Sequence, residues 1–339
     1  MTGFYIGRYT GDMTKALRGL NLGGWLVAER WMTPSLFEGV VASGEAALVR
    51  ELGVEEARRR LTAHRGTFIT KKDFKWIAEA GFDFVRLPVG YWLFAETDDF
   101  IDGEIYLRQA FDWAKEHDLQ VILDFHGLQG SQNGQDHSGQ VGKIKFYRRG
   151  NRGDALQTLE YMAKMYGRHP ALLGIEIINE PKVRWFLWRL LRYYDRAIPL
   201  IKPNLASNVK IIVSDAFKPL KMARVLSQRS YAQHIVMDIH LYQVFGKQEQ
   251  SMSVDQHLRV VRHDWSQLLT EIGSYMPIIV GEWSAGLPGA ADREGRADEY
   301  FQAQHDTFSA EAWAHCYWSY KAPGAGVWDY RTGIYPRIK

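Results

Sequence analysis

Leu172-Leu173-Gly174-Ile175-Glu176-Ile177-Ile178-Asn179-Glu180-Pro181 reads as one short buried strand that runs into a carboxylate and stops. The strand candidate is Leu172 to Ile178, short enough for a sheet and closed by a proline. A carboxylate directly behind such a run is costly to bury unless it is paired or used. Pro181 cannot extend a ladder, so the chain turns and Glu180 is left at the strand's C-terminal end. Ile278-Ile279-Val280-Gly281-Glu282-Trp283-Ser284 repeats the arrangement.

Working outward, six more strand candidates flank these two: Arg18 to Leu26, Phe82 to Val89, Gln120 to Phe125, Lys210 to Ser214, Ile235 to His240 and His315 to Tyr320. Pro277 to Gly281 is the strand in front of Glu282. Helical periodicity fills the gaps over Thr70 to Ala80, Glu104 to Asp118, Asp154 to Arg168, Val183 to Ile201, Val254 to Ile272 and Arg293 to Ala312, and more weakly over Pro219 to Ser227. The tail from Ala322 is too rich in Gly and Pro for a full helix. Alternation of this kind is the pattern of a parallel sheet with crossover helices. Eight strands make a (β/α)8 TIM barrel, α/β in class, the leading architecture. It is expected as a single catalytic domain over residues 1–339. A doubly wound sheet fits less well, because Asn21-Leu22-Gly23-Gly24-Trp25 is no dinucleotide fingerprint.

With 46% of its 339 residues hydrophobic, the chain can build a core of that size. A net charge of +3 excludes a nucleic-acid footprint spread over the whole molecule. Arg58-Arg59-Arg60 behind Glu55-Glu56 is expected to be a solvated helix face. Cys316, the single cysteine, sits in an apolar run and is expected to be buried. No signal peptide is visible at Met1 to Tyr9 and no window is long and apolar enough to insert in a membrane, so a cytoplasmic location is the expectation. The 12 Trp, 17 Tyr and 16 Phe suit packing, and some also suit contact with the C–H faces of sugars.

Chemistry in such a barrel gathers at the C-terminal ends of the strands. Strands four and seven lie across the mouth from each other, so Glu180 and Glu282 can face one another. Retaining glycosidases need two carboxyls about 5 to 5.5 Å apart. Arg86, in Phe-Val-Arg-Leu-Pro of strand two, can hold a carboxylate ionised. His126 follows Asp124, and His240 and Tyr242 follow Asp238. These histidines and aspartates raise the alternative of a metal hydrolase, but there is no His-x-His pair on strand one and no bridging lysine, and neither metal nor cofactor is expected.

With these segments in hand, the chain resembles glycoside hydrolase family 5, and within it the exo-β-1,3-glucanases of yeasts and fungi. The segments carrying the resemblance run in order from Arg18 to about Arg337. They include Leu20-Asn-Leu-Gly-Gly-Trp-Leu-Val-Ala-Glu29, Trp31 to Glu38, Arg86-Leu-Pro-Val-Gly-Tyr-Trp92 and Asp124 to Gly134. Ile178-Asn-Glu-Pro181, Ser214-Asp-Ala-Phe217, His240 to Phe245, Gly281-Glu-Trp-Ser284 and Tyr317-Trp-Ser-Tyr-Lys321 follow. The resemblance implies Glu180 as acid/base and Glu282 as the nucleophile that becomes glycosylated. It implies Asn179 on the sugar 2-hydroxyl, Tyr242 and Arg86 on the nucleophile, and His126 and His240 positioning sugar and carboxylates. Glu29, Asp136 and Trp318 would enclose a terminal glucose, which makes the action exo.

Three departures stand out. The fungal enzymes frame the entrance with two facing phenylalanines; Phe245 matches one, and Gln135 stands at the other. The segment Leu287 to Arg293 after Glu282 is short, and the fungal disulfides and secretion signal have no counterpart. All three concern the aglycone side or location. The expected partner is therefore a β-glucoside carbohydrate, with a small-aglycone β-glucosidase, a glucosyl-lipid hydrolase or a transglycosylating enzyme as the alternatives. A barrel that binds sugar without cleaving it is disfavoured because both glutamates are present.

Overall fold

Eight parallel strands close on themselves in chain order: β1 (Leu17–Asn21), β2 (Phe84–Gly90), β3 (Gln120–Gly127), β4 (Leu172–Glu176), β5 (Lys210–Ser214), β6 (Ile235–Leu241), β7 (Ile278–Trp283) and β8 (Ala314–Tyr317). β8 pairs with β1 in parallel and completes the barrel. This is a computed structural model, and it describes residues 15–183 and 187–339. The N-terminal stretch read for a leader, Met1 to Tyr9, lies outside the described residues. So do positions 184–186 of the helix expected from Val183.

Every expected strand is present, β5 at its expected ends and the other seven with one or both ends shifted. β1 stops at Asn21 instead of Leu26, because the glycines that follow turn the chain, Gly24 at φ +70°. Its partner residues Trp25 and Leu26 are buried in the loop instead. The expected helix from Asp154 starts five residues earlier, at Arg149, despite two glycines in its first five residues. The helix expected from Arg293 begins at Ala297, since Gly295 at φ +69° breaks it from a short helix over Gly289–Arg293. Val254 to Gly273 is one helical run interrupted by a π-helical stretch, Val260–Trp265. Two helices before β2 carry no strand-flanked signature: Glu45–Leu52 and Val54–Thr67. The second holds the arginine run, and only part of it is solvated. Arg59 pairs with Glu56, while Arg60 turns inward to the carbonyl of Glu38 at 2.6 Å.

Side chains two apart on a strand face the same way, and this rule builds the barrel interior in layers. Phe84, Ile122, Leu173, Ile212, Val236, Ile279, Ala314 and Cys316 form a closed apolar cluster that floors it. Two residues further along β2, β3 and β6 stand Arg86, Asp124 and Asp238, all buried. Two further again on β3 and β6 come His126 and His240. The apolar floor thus carries a charged layer above it, and the mouth lies beyond.

Candidate active site

Arg86 is the centre of the charged layer and is fully buried. Its guanidinium donates to Glu282 Oε1 at 2.9 Å, Glu176 Oε2 at 2.9 Å, Asn179 Oδ1 at 2.9 Å and Asn21 Oδ1 at 3.0 Å. Asp124 Oδ2 lies 3.1 Å away. Burial works against the charge, but Asp124, Glu176, Glu282 and Asp238 together raise the arginine well above its ordinary value. A fixed cation under the mouth follows.

Glu282 reaches the mouth because the β6–β7 register slips at Ile239/His240, which places His240 opposite Glu282. The slip also needs Gly281: a Cβ there would sit 2.2 Å from Asp238 Oδ1, which accepts the Gly281 N–H at 2.8 Å. Arg86 donates to one oxygen of Glu282, and the Tyr242 hydroxyl donates to the other at 3.0 Å. Both partners are donors only here. Tyr242 is raised well above the ordinary phenol by burial and by the Glu282 charge, so it keeps its proton. Burial pushes Glu282 upward, while His240 and Arg86 pull the other way.

Glu180 sits four residues beyond β4 with φ +44°, a left-handed backbone that only a well-determined site tolerates in a non-glycine residue. His240 Nδ1 donates to its Oε1 at 2.7 Å and His240 Nε2 to Asp238 Oδ2 at 3.1 Å. Burial opposes a charge on His240, but Glu282, Asp238 and Glu180 hold it well above the usual histidine range. Burial likewise opposes ionisation of Glu180, yet the His240 hydrogen bond and charge bring its carboxyl down to about 2. The hydrogen-bonded His240–Glu180 pair therefore shares a proton that favours the imidazole. Oxygens of Glu180 and Glu282 and a nitrogen of His240 all lie within 4.8 Å of one another.

The mouth opens into a cavity of about 750 Å³ lined by Glu29, His126, Asp136, Glu180, Tyr242, Phe245, Glu282 and Trp318, together with Trp31, Gln135, His137, Phe217, Ala325 and Trp328. All the residues singled out in the sequence thus meet here or directly beneath: Arg86, Asn179 and His240 bond to its floor. Trp318 stacks on His126, ring centroids 6.0 Å apart. Burial pushes Glu29 up to about 7 against the His126 charge and a 2.9 Å bond from Trp31 Nε1. Asp124 Oδ2 accepts from His126 Nδ1 at 2.6 Å. Phe245 is 79% exposed and rests edge-on against Tyr242.

Several contributors went unread. His137 Nε2 lies 3.4 Å from Glu180 Oε2 and 3.1 Å from Gln135 Oε1, and burial lowers the imidazole to about 4. Its signal was adjacency to Asp136 in a loop that turns twice through glycine. Glu176 was hidden inside the apolar strand; only an inward arginine two strands away explains it. Phe217 and Trp31, both exposed at the rim, lay in quoted segments with no role attached.

Among the described residues, two triplets could surround a cation by distance, Glu176–Asp238–His240 and Glu180–His240–Glu282. Arg86 already supplies the positive charge at the first, 2.9 Å from Glu176, and the protonated His240 supplies it at the second.

The chain matches the family model described as Cellulase (glycosyl hydrolase family 5) over residues 51–324. It is 32% identical to the probable glucan 1,3-beta-glucosidase A of Aspergillus niger, over 93% of this chain and 85% of that one. It is 36% identical to glucan 1,3-beta-glucosidase 2 of Wickerhamomyces anomalus, over 89% and 74%. The rutinosidase structure from Aspergillus niger shares the fold at a TM-score of 0.75, with 21% identity over 92% of this chain and 91% of that one. Family model and relatives agree over most of the length, and the chain belongs to glycosyl hydrolase family 5, as a glycoside hydrolase.

Proposed function

We propose that the protein is a retaining β-glucosidase that releases single glucose units from the non-reducing ends of β-1,3-linked glucosides. The observation that carries this is the approach of Glu180 and Glu282 oxygens to within 4.8 Å at the floor of an aromatic cavity. That approach fits the carboxyl separation of retaining enzymes, about 5 to 5.5 Å, better than the about 6.5 to 9.5 Å of inverting ones, and suits direct attack on the anomeric carbon. The names of the curated relatives supply the β-1,3 linkage.

Glu282 attacks while Arg86 and Tyr242 hold both its oxygens. Glu180 gives a proton to the leaving oxygen, refilled through the 2.7 Å bond from His240. Sugar in the cavity excludes water, which weakens the ionised imidazolium–carboxylate form relative to the neutral one and moves the proton onto Glu180. Once Glu282 is esterified, Glu180 takes a proton from the incoming water. Asn179, oriented by Arg86, presents its amide to the sugar 2-hydroxyl. Glu29, Asp136 and Trp318 hold the glucose ring.

A second reading concerns the aglycone. Phe217, Phe245 and Trp31 are 60%, 79% and 43% exposed at the rim, and such rings also suit an apolar aglycone. Product sizing separates the two. Laminari-oligosaccharides should yield glucose alone from the start, and Gln135→Phe should raise kcat/KM for laminaribiose about three- to tenfold, the value of one added stacking face, while aryl glucosides change little. A ladder of mixed oligomers would refute the exo reading. An apolar glucoside preferred over laminaribiose by both forms would favour the second.

A further inference from the structure

Two stretches, 141–153 and 187–196, hold eight Lys and Arg against a single acid. They carry a net +7 in a chain whose total is +3, so the rest of the molecule is net acidic. The acid, Asp195, is turned away to Tyr231 at 2.8 Å and Arg229 at 3.6 Å. The helix Arg149–Tyr166 packs on the helix Leu187–Ile201, which brings both stretches onto one face. Arg152 there is lowered by burial and then by the charges of Arg192, Arg189 and Arg196, and its buried Nε has no partner. Concentrated like charge opposes folding and is expected where an anionic partner supplies the compensation.

The face is also amphipathic. Leu190, Tyr193, Tyr194, Ala197 and Ile198 point into the core, so Trp188, Arg192 and Arg196, each four apart, form an outward stripe. Trp188 is 49% exposed, with Arg189 and Arg192 guanidiniums 5.3 and 5.9 Å from its ring. Val141, 59% exposed, adds a second apolar group beside Lys143 and Lys145. An indole flanked by guanidiniums is suited to the headgroup level of a bilayer, and a cluster of this many basic residues to anionic lipid.

Both helices follow strands whose C-terminal ends form the mouth, β3 and β4. Lys145 N–H bonds Gly130 O at 2.7 Å, which ties the first basic stretch to the loop that carries Gln135, Asp136 and His137. We propose that this basic, tryptophan-bearing face docks the protein on an anionic lipid bilayer, with the cavity mouth beside the membrane surface. Docking is peripheral, and no described helix is long and apolar enough to span.

The test is co-sedimentation of the full chain with vesicles of phosphatidylglycerol mixed into phosphatidylcholine, and of phosphatidylcholine alone. Binding should be confined to the anionic vesicles and fall steeply with salt. Arg148→Gln/Arg149→Gln/Arg192→Gln should weaken it about 100-fold, at about fivefold per basic residue, and Trp188→Ala several-fold. Both variants should keep aryl-glucoside hydrolysis, which reports an intact barrel. Should the triple variant misfold, Lys143→Gln/Lys145→Gln/Arg196→Gln makes the same measurement with an expected loss of the same size. Equal binding to neutral vesicles, or unchanged binding by a folded triple variant, overturns the proposal. So does displacement by duplex DNA or heparin together with wild-type binding by Trp188→Ala, which would assign the face to a soluble polyanion.

Discussion

Glu282→Ala abolishes turnover of every β-glucoside, a loss on the order of 10⁵-fold or more, because no other group can form the glycosyl-enzyme. The companion substitution separates the two roles. Glu180→Ala leaves glycosylation intact for dinitrophenyl glucosides, whose leaving group needs no proton, while natural glucosides lose activity by about 10³-fold or more. Azide then fits the vacated space and gives the β-glucosyl azide, restoring turnover. A Glu180→Ala enzyme as inactive as Glu282→Ala on the activated substrate, and deaf to azide, would contradict the assignment.

The second large effect is on stability. Arg86→Met leaves Asp124, Glu176, Asp238 and Glu282 around a vacant centre, all within 3.7 Å of the guanidinium it removes. Removing one member of a buried ionic cluster costs about 3 to 5 kcal/mol, which lowers Tm by roughly 4 to 7 °C in a chain of this size. The deficit should shrink as pH falls and Glu176 and Glu282, which burial pushes upward, take up protons. Arg86→Lys restores the charge without the fork that bridges Glu176, Asn179 and Glu282, so it should recover stability in part and activity hardly at all. Thermal melts of both variants across pH decide the matter, and an Arg86→Met melt within about 2 °C of wild type would show that the cluster is not held by this cation.

Much of the fold was legible because each strand is short, apolar and punctuated. Leu172 to Pro181 and Ile278 to Ser284 both announce a buried strand and a polar end, and period two then predicts which neighbours share that end. Boundaries were less legible where local rules compete. Arg149 to Gly153 is helical despite Gly150 and Gly153, since the turns behind it bury Ala155, Leu156 and Leu159. The slip that carries Glu282 inward is a property of the β6–β7 pair, so Gly281 alone gave no sign of it. His137 shows the remaining limit: its closeness to Glu180 depends on a loop path from Gly127 to Ser138 that no periodicity describes.

Glu282, as a covalent nucleophile within reach of Glu180, should carry the glycosyl group between the two steps. Incubation with 2-deoxy-2-fluoro-β-glucosyl fluoride, followed by proteolysis and mass spectrometry, measures this. The fluorosugar slows both steps and the good leaving group preserves the first, so the intermediate should accumulate. The expected result is one fluoroglucosyl group per chain on the peptide that contains Glu282, lost again when a β-glucoside acceptor is added. A label on Glu180 or elsewhere, or an unlabelled chain that still releases fluoride and α-configured sugar, would contradict it.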